Sequence, residues 1–472
     1  HYLLGEALAQ SSPRLPERIE REIQSRVLIP ALERDDWGWM GFTQLPVNNW
    51  NPWINSNWLA CVLLVEKDPD RRVSAVAKIL RSLDRFLAPY PSDGGCDEGP
   101  GYWTRAGASL YDCLELFWLA SGGKIDVFGD PKVGEIGRFV YCAHIAEDYY
   151  INFADASALN RPEAALVFGY GKRINDPQMI SFGAWLASRQ AGAGGRLYGD
   201  LFRLLRGLFS RQAMHAEEAK PPLLRDVWLG EIQVMAARDA QGSSQGWYLA
   251  AKGGHNAESH NHNDVGNFIV YRDGKPLIID AGVETYTRKT FSAQRYEIWT
   301  MQSAYHSLPT IDGVMQAPGK EFAARDVSYA ADDESACFSL ELARAYPPEA
   351  KLKTWRRTLV LRRGEGVTLT DSYEMFSPAS QLSLSLLTPC TIHLDIPGLI
   401  RLEAAPLPDG RSSGAACLRY DPARLSASVG EIDDARLSPV WGERLRRLLL
   451  YAVKPGFQGE WTIHIGADSL AI

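Results

Sequence analysis

The hydrophobic period of the chain changes near residue 215, and this change limits the folds that the chain can adopt. Before it, apolar residues recur at helical spacing in seven segments separated by short turns. Those segments are 16–34, 55–68, 71–90, 105–122, 132–148, 177–190 and 194–210. After it, apolar and polar residues alternate, as in 353–375 and 445–456, which is typical of strands. We therefore predict a helical first half and a strand-rich second half.

The polar segment 212–226, QAMHAEEAKPPLLRD, separates the two halves and contains a proline pair. We place a domain boundary within it, with a helical domain over 1–220 and an antiparallel β-sheet domain over 221–472. Short turns between the helices predict antiparallel packing, in a solenoid or a toroid. The strand-rich half is expected to form a β-sandwich.

Composition excludes several classes of protein. A net charge of −7 argues against general nucleic-acid binding, and no apolar run is long enough to cross a bilayer. The seven cysteines are scattered and never spaced as CxxC, which argues against a disulfide framework or a cysteine zinc site. The first residues, HYLLGEALAQ, lack an initiator Met and do not form a signal peptide, so we expect a mature or trimmed chain.

Histidines are concentrated in the segment 259–268, SHNHNDVGNF. The chain has nine histidines, yet His260 and His262 stand one residue apart here, with Asp264 two residues further on. Asp280 follows in PLIIDAG and His306 in SAYHSLPTIDG. Two imidazoles and a carboxylate are a common ligand set for a divalent ion, zinc above all. The pattern predicts a metal site, with buried structural histidines as the alternative.

The segment IVYRDGKPLII predicts a β-hairpin that brings part of this set together. Asp273–Gly274 suits a two-residue turn, and counting back from it places Asn267 opposite Asp280. Asp280 should then lie near the strand end from which His262 leads off. The HxHxDH signature of metallo-β-lactamases is a weaker interpretation, because Val265 follows the aspartate.

Four stretches together resemble the heparinase II/III-like polysaccharide lyases. They are HNHNDVGNFIVYRDGKPLIIDAG, YHSLPTIDG, NNWNPWINSNW and DGGCDEGPGYW. The resemblance implies an α+β multidomain fold, in which an N-terminal (α/α) toroid precedes a C-terminal antiparallel β-sandwich. This order of halves is the order that the hydrophobic period predicts.

The resemblance also implies roles for individual residues. The implied catalytic residues are Asn48, Asn49, Tyr102 and His260. The implied ligands of one divalent ion, zinc with manganese or calcium as alternatives, are His262, Asp280 and His306. In this family the ion orders the loop that bears the catalytic histidine. Asp264 is expected to support that loop, with a role as fourth ligand as the alternative. Several relatives have a histidine where this chain has Asn49, so the second acid/base group is open.

The implied reaction is β-elimination on a uronic acid. The enzyme neutralises the sugar carboxylate, removes the proton at C5 and expels the oxygen at C4. Amide donors of Asn48 and Asn49 suit the first task, and His or Tyr suits the proton transfers. We expect further substrate contacts from aromatic, basic and acidic residues near these motifs: Trp50, Trp53, Glu98, Trp103, Arg105, Arg295 and Tyr305.

We therefore predict a bacterial-type lyase acting on an anionic polysaccharide or oligosaccharide that contains uronic acid. Glycosaminoglycans (heparin and heparan sulfate, hyaluronan, chondroitin sulfate) are the first choice of substrate. An alginate lyase of the same fold, a metal-dependent glycan hydrolase and a non-catalytic carbohydrate-binding protein are the alternatives. A periplasmic or secreted location is expected, with the cytoplasm as the alternative. The sequence predicts neither nucleic-acid binding nor membrane insertion, and leaves the oligomeric state open.

Overall fold

The computed structural model describes residues 5–12, 14–190, 201–283 and 285–467. Helices dominate up to residue 216, and antiparallel strands dominate from residue 226 onward. The predicted change from helices to strands is therefore confirmed.

The described residues form two compact units. The first comprises the described residues up to Gly94, Tyr102–Gly137 and Gly169–Asp176. The second comprises Gly95–Gly101, Arg138–Phe168 and the described residues from Pro177 onward. The units are interleaved along the chain, so the sequential domains 1–220 and 221–472 stay predictions.

Eleven helices precede the large sheets in the described part of the chain. They are α1 Gly5–Ser11, α2 Arg14–Ile23, α3 Ile29–Glu33, α4 Trp50–Val65, α5 Pro69–Leu87, α6 Pro100–Trp103, α7 Gly107–Ala120, α8 Pro131–Cys142, α9 Ala164–Arg173, α10 Pro177–Gln190 and α11 Leu201–Ala216. A π-helical turn, Gln24–Leu28, joins α2 to α3. The start of α5 shows why helices begin where they do: the Asp68 carboxylate accepts from the backbone N–H groups of Asp70 and Arg71, and Pro69 fits the first turn.

The predicted helices largely match the observed ones, but one predicted helix ends early and three observed helices, α1, α6 and α9, were not predicted. The predicted helix 132–148 ends at Cys142, because His144–Ala146 pairs as a strand with Tyr149–Tyr150 across a turn in which Glu147 has φ 49°. The helix α9 was not predicted, since two glycines dilute its apolar pattern. Residues 194–200 of the last predicted helix lie outside the described residues, and α11 covers the rest of it.

All strand pairings among the described residues are antiparallel, and the strands range from two to eleven residues. They are β1 His144–Ala146, β2 Tyr149–Tyr150, β3 Asp226–Leu229, β4 Val234–Arg238, β5 Trp247–Lys252, β6 His255–Asn256, β7 Phe268–Arg272, β8 Lys275–Ile278, β9 Pro309–Ile311, β10 Gly319–Ala323, β11 Arg325–Ala331, β12 Ser335–Glu341, β13 Leu352–Arg362, β14 Gly366–Met375, β15 Leu382–Thr388, β16 Thr391–Ile396, β17 Leu399–Glu403, β18 Ala416–Tyr420, β19 Leu425–Ile432, β20 Leu445–Ala452 and β21 Gln458–Gly466. A short helix, α12 Ser438–Trp441, precedes β20.

Three sheets of the second unit pack around one apolar core. Their strand orders are β3-β4-β5-β7-β8, β11-β12-β13-β14-β21-β18-β17-β16 and β19-β20-β15-β9. The core takes side chains from each sheet, for example Phe268, Phe338 and Leu386. In β14 buried and part-buried residues alternate along most of the strand, as the two-residue period predicts.

One buried ion pair lies within the large sheet and reaches the loops beside it. Arg357 of β13 and Asp371 of β14 are cross-strand partners, and both side chains are fully buried. The guanidinium donates to the carboxylate from Nε at 2.8 Å and from Nη2 at 2.7 Å. Its Nη1 donates to the carbonyls of Gly266 at 2.9 Å and Ser307 at 2.5 Å. The sheet is thereby bonded to the two loops that carry the histidines.

No helix in the described part of the chain combines the length and the apolar character needed to cross a membrane.

Candidate metal and catalytic site

The predicted hairpin forms, with one irregularity. Strands β7 and β8 flank the Asp273–Gly274 turn, and a bulge shifts the register so that Val270 pairs with Ile278. The pairing register predicted by counting from the turn is therefore wrong by one residue beyond the bulge. The predicted proximity is nevertheless confirmed, because Asn267 Nδ2 donates to Asp280 Oδ2 at 2.7 Å.

His262, Asp280 and His306 form a buried cluster that could hold a divalent ion. One ligand atom from each lies within 4.8 Å of the others. His262 Nδ1 and His306 Nε2 are buried and have no hydrogen-bond partner among the described residues. Such orphaned nitrogens are costly unless something binds them, and imidazole nitrogen beside carboxylate is a donor set for zinc. The residues therefore fit the ion that the resemblance implies.

The contact between Asp280 and His306 shifts the pKa of both side chains. Burial acts to raise the pKa of Asp280, but His306, His262 and the Gly282 N–H outweigh it, and the pKa falls below its usual value. Burial acts to lower the pKa of His306, but the carboxylate 3.0 Å away outweighs it and raises the pKa. A metal ligand must be neutral imidazole, so metal binding here competes with protons and weakens as the pH falls.

The centre of the hydrogen-bond network is Asp155, a residue that sequence reasoning missed. Its Oδ1 accepts from His262 Nε2 at 3.1 Å and from Arg295 Nη2 at 2.7 Å. Its Oδ2 accepts from His260 Nδ1 at 2.9 Å and from the Tyr286 hydroxyl at 3.0 Å. Burial acts to raise the pKa of this carboxyl, but His260, His262 and Arg295 outweigh it and hold the pKa far below its usual range. Asp155 is therefore a fixed anion that orients both histidines.

His260 has the orientation that an acid/base group needs. Its backbone has φ 54°, a left-handed conformation that is uncommon outside glycine and frequent at functional sites. With Nδ1 donating to Asp155, the lone pair that can accept a proton lies on Nε2. Nε2 is 3.9 Å from Glu98 Oε2, and the side chain is 17% exposed. Glu98 is buried here, and its predicted contact with substrate stays a prediction.

Asp264 lies outside the cluster of ligand atoms and bonds to Lys252 instead. The buried Lys252 Nζ donates to Asp264 Oδ1 at 2.7 Å and to Glu258 Oε2 at 2.8 Å. Burial acts to lower the pKa of Lys252, but the two carboxylates outweigh it and raise the pKa. The ammonium therefore joins residues on both sides of His260 and His262, which is the loop-supporting role expected of Asp264.

The first unit holds the other predicted residues of the carboxylate-binding motif. Asn48 is exposed, and its Oδ1 accepts from the Trp50 N–H at 3.1 Å at the start of α4. Asn49 is buried at the N-cap of that helix. Trp50 is 54% exposed and lies edge-on to Trp53 at 6.1 Å. The Arg105 guanidinium stacks 4.4 Å above Trp53, so this surface combines aromatic rings with a cation.

Tyr102 and Trp103 are adjacent in α6 but differ in exposure. Tyr102 is half-buried, and its carbonyl accepts from the N–H groups of Arg105 and Ala106. Trp103 is fully buried, and its indole N–H donates to the Ile136 carbonyl at 2.6 Å. Its ring has no surface to offer a sugar, so the predicted substrate contact at Trp103 is corrected to a core position.

The remaining predicted contacts lie in the segment between Asp280 and His306. Arg295 is mostly buried and donates to Asp155, to the Asn261 carbonyl at 2.9 Å and to the Thr290 carbonyl at 3.2 Å. It therefore helps to fix the network, and its predicted contact with substrate stays a prediction. Tyr305 is part-buried, with the Arg447 guanidinium 4.3 Å from its ring centroid.

Comparison with known proteins finds a family match for the part of the chain that carries the histidines of this network. Residues 229–388 match the family model described as heparinase II/III-like, C-terminal. That range contains the histidine segment, the hairpin and His306. A comparison with curated protein sequences found no match.

Several solved structures have a similar fold. Heparan sulfate lyase HepC from Pedobacter heparinus has a TM-score of 0.64 at 13% identity, over 97% of this chain and 63% of that chain. A heparinase III has a TM-score of 0.66 at 13% identity, over 96% and 62%. The chondroitin AC lyase of Streptomyces coelicolor A3, in complex with chondroitin sulphate, has a TM-score of 0.53 at 13% identity, over 98% and 72%.

The chain spans less than two thirds of the length of the two heparinase structures, and at these identities the likeness concerns the fold. The resemblance predicted from the histidine segment is confirmed over residues 229–388, which match the heparinase II/III-like C-terminal model.

Proposed function

We propose that this protein is a polysaccharide lyase that cleaves a uronic-acid-containing glycan by β-elimination. The observation that carries the proposal is the position of His260, whose Nδ1 is held by the Asp155 carboxylate beside the buried cluster of His262, Asp280 and His306. An imidazole with one nitrogen fixed and the other in a partly exposed setting is suited to proton transfer. The domain match and the fold likeness to heparinase and chondroitin lyase structures support the same class.

The reaction needs three tasks from the chain. The sugar carboxylate is neutralised by hydrogen-bond donors, for which Asn48 and Asn49 are the candidates, so that negative charge developing at C5 is stabilised. A base removes the C5 proton, and an acid protonates the oxygen that leaves C4. We assign these proton transfers to His260 and Tyr102.

The cluster of His262, Asp280 and His306 is proposed to hold one divalent ion, zinc first, with manganese or calcium as alternatives. When bound, the ion supplies a fixed positive charge and cross-links the segments that carry its ligands. His262 would then be tied at both nitrogens, because its Nε2 already donates to Asp155. His260 is two residues away on the same segment, so its orientation depends on that anchoring.

Glycosaminoglycans are the proposed substrates, because the similar structures are of heparan sulfate and chondroitin lyases. The proposal includes the (α/α) toroid and β-sandwich arrangement of the two halves, a bacterial source, and a periplasmic or secreted location. Alginate is the competing substrate, since it is also a polymer of uronic acids.

A single assay separates these readings. β-Elimination creates a C4–C5 double bond conjugated with the carboxylate, which absorbs in the ultraviolet. We expect absorbance to rise with at least one of heparan sulfate, hyaluronan, chondroitin sulfate and alginate. New reducing ends without absorbance would indicate a hydrolase, and neither signal with any glycan would favour a binding protein. Both results overturn the proposal.

A further inference from the structure

Two exposed aromatic side chains lie beside His260 in the second unit. Tyr286 is 37% exposed, and its ring is nearly parallel to the His260 imidazole, with 6.3 Å between centroids and 16° between planes. Phe291 is 69% exposed and meets the Tyr286 ring edge-on at 5.2 Å. Single exposed apolar residues are common on proteins, but a contiguous pair beside a polar centre marks a binding surface more often.

Tyr286 is held in place by hydrogen bonds at its hydroxyl end. Its hydroxyl donates to Asp155 Oδ2 at 3.0 Å and lies 3.2 Å from His260 Nδ1. The ring is therefore anchored at its polar end while part of its surface stays open to solvent. A fixed aromatic ring with a solvent-exposed face offers contact area to a ligand at a small cost in conformational entropy.

The charged residues between Tyr286 and Phe291 in the sequence indicate what kind of molecule would bind. Arg288 is exposed between the two aromatics in sequence, and Lys289 follows it, paired with Glu297 at 2.8 Å. The Tyr286 and Phe291 rings meet at 77° and form an apolar corner, with cations between them in the sequence. Such a corner suits a pyranose ring, which has C–H groups on its face and carboxylate or sulfate groups on its rim.

We propose that Tyr286 and Phe291 form a sugar-stacking platform that binds one pyranose of an anionic glycan next to His260. This inference rests on the proposed function for the identity of the glycan and adds the surface that positions it. The aromatic pair contributes to binding, whereas the Tyr286 hydroxyl contributes to the orientation of His260.

The binding role of the aromatic pair and the orienting role of the Tyr286 hydroxyl predict changes in different kinetic constants. Phe291→Ala should raise KM about 3- to 10-fold with kcat within about twofold of wild type, because it removes binding alone. Tyr286→Phe keeps the ring and removes the hydroxyl, so it should lower kcat and leave KM nearly unchanged. Phe376→Ala is the matched control, since Phe376 is 72% exposed directly after β14, and it should change neither constant.

A binding experiment separates failure of the platform from failure of the proposed function. Calorimetric titration with a glycosaminoglycan oligosaccharide needs no turnover, and thermal unfolding of each variant verifies the fold. Weaker binding by Phe291→Ala than by Phe376→Ala supports the platform even if no glycan is cleaved. Equal KM and equal affinity for these two variants would overturn it, even if the wild-type protein is an active lyase.

Discussion

His260 and His262 share one hydrogen-bond acceptor, the carboxylate of Asp155. Oδ2 accepts from His260 Nδ1 at 2.9 Å and Oδ1 accepts from His262 Nε2 at 3.1 Å. One side chain therefore sets the tautomer of the proposed acid/base group and of a proposed metal ligand. Any change at this carboxylate should alter catalysis and metal binding together.

Asp155→Asn should lower both turnover and metal affinity. The amide is neutral, and its NH2 group faces donors that need an acceptor. Removing the acidic partner of a ligating histidine typically weakens metal affinity by roughly 10- to 100-fold. Turnover by absorbance and metal content by elemental analysis measure the two effects. Asp148→Asn, at a part-buried aspartate paired with Arg161 and Arg189, is the control and should leave both unchanged. Loss of turnover with full metal affinity would contradict the shared role.

His262→Ala should release the ion and destabilise the protein. The purified wild-type chain should contain about one divalent ion, as the three-ligand cluster implies. A chelator should lower the melting temperature of the wild type and not that of the variant, because ion binding stabilises only the folded state that has the site. His464→Ala, at an exposed histidine of β21, is the control. A metal-free preparation with full stability and activity would refute the site.

Tyr102→Phe should reduce turnover by at least about 100-fold if the phenol transfers a proton. The variant keeps the ring, so thermal unfolding should match the wild type. If Tyr102 and His260 act in one proton path, the double variant with His260→Ala should lose far less than the product of the two single effects. Asn48→Ala should also raise KM, since it weakens the hold on the bound carboxylate. Retention of more than about a third of wild-type turnover by Tyr102→Phe would exclude it as an acid/base group.

Stability should depend on pH through His144, which is buried against Tyr150, Phe182 and Trp185. Burial lowers the pKa of this imidazole from 6.5 to about 4. The unfolded chain takes up a proton more readily than the folded chain, so stability is lost as the pH falls from 6.5 towards 4. The loss attributable to this group approaches about 3 kcal/mol.

Denaturant unfolding at several pH values tests this by comparing the wild type with His144→Phe. The variant loses the hydrogen bond from His144 Nε2 to the Glu147 carbonyl, so it is expected to be less stable at neutral pH. It should, however, show a smaller decrease on acidification than the wild type. Parallel pH profiles for the two proteins would show that His144 does not titrate in this way.

The part of the site that local pairing determines was predictable from the sequence. Asp273–Gly274 fixed a turn, and the turn brought Asn267 to Asp280 even though a bulge altered the pairing between them. A pattern of residues cannot reveal a bulge of this kind, since it depends on how the strand packs in the sheet.

Asp155 could not be found in the same way. It is 105 residues from His260 in the chain and lies in an irregular segment after Ala154, which has φ 63°. No periodicity or motif marks a single aspartate whose partners are brought to it by tertiary structure. The predicted substrate contact of Trp103 was wrong for a different reason. Its motif is visible in the sequence, but its burial depends on neighbours such as Ile136 that sequence spacing does not identify.

The Arg357–Asp371 pair bonds the loops that carry the histidines to the core of the second unit. Because Arg357 also bonds to the Gly266 and Ser307 carbonyls, the loops can open only if a buried guanidinium gives up these acceptors. The histidine segments should therefore behave as part of the same cooperative unit as β13 and β14. Their amide hydrogens would exchange with solvent through global unfolding rather than through local fraying, so the proposed catalytic machinery would persist for as long as the sheet itself does.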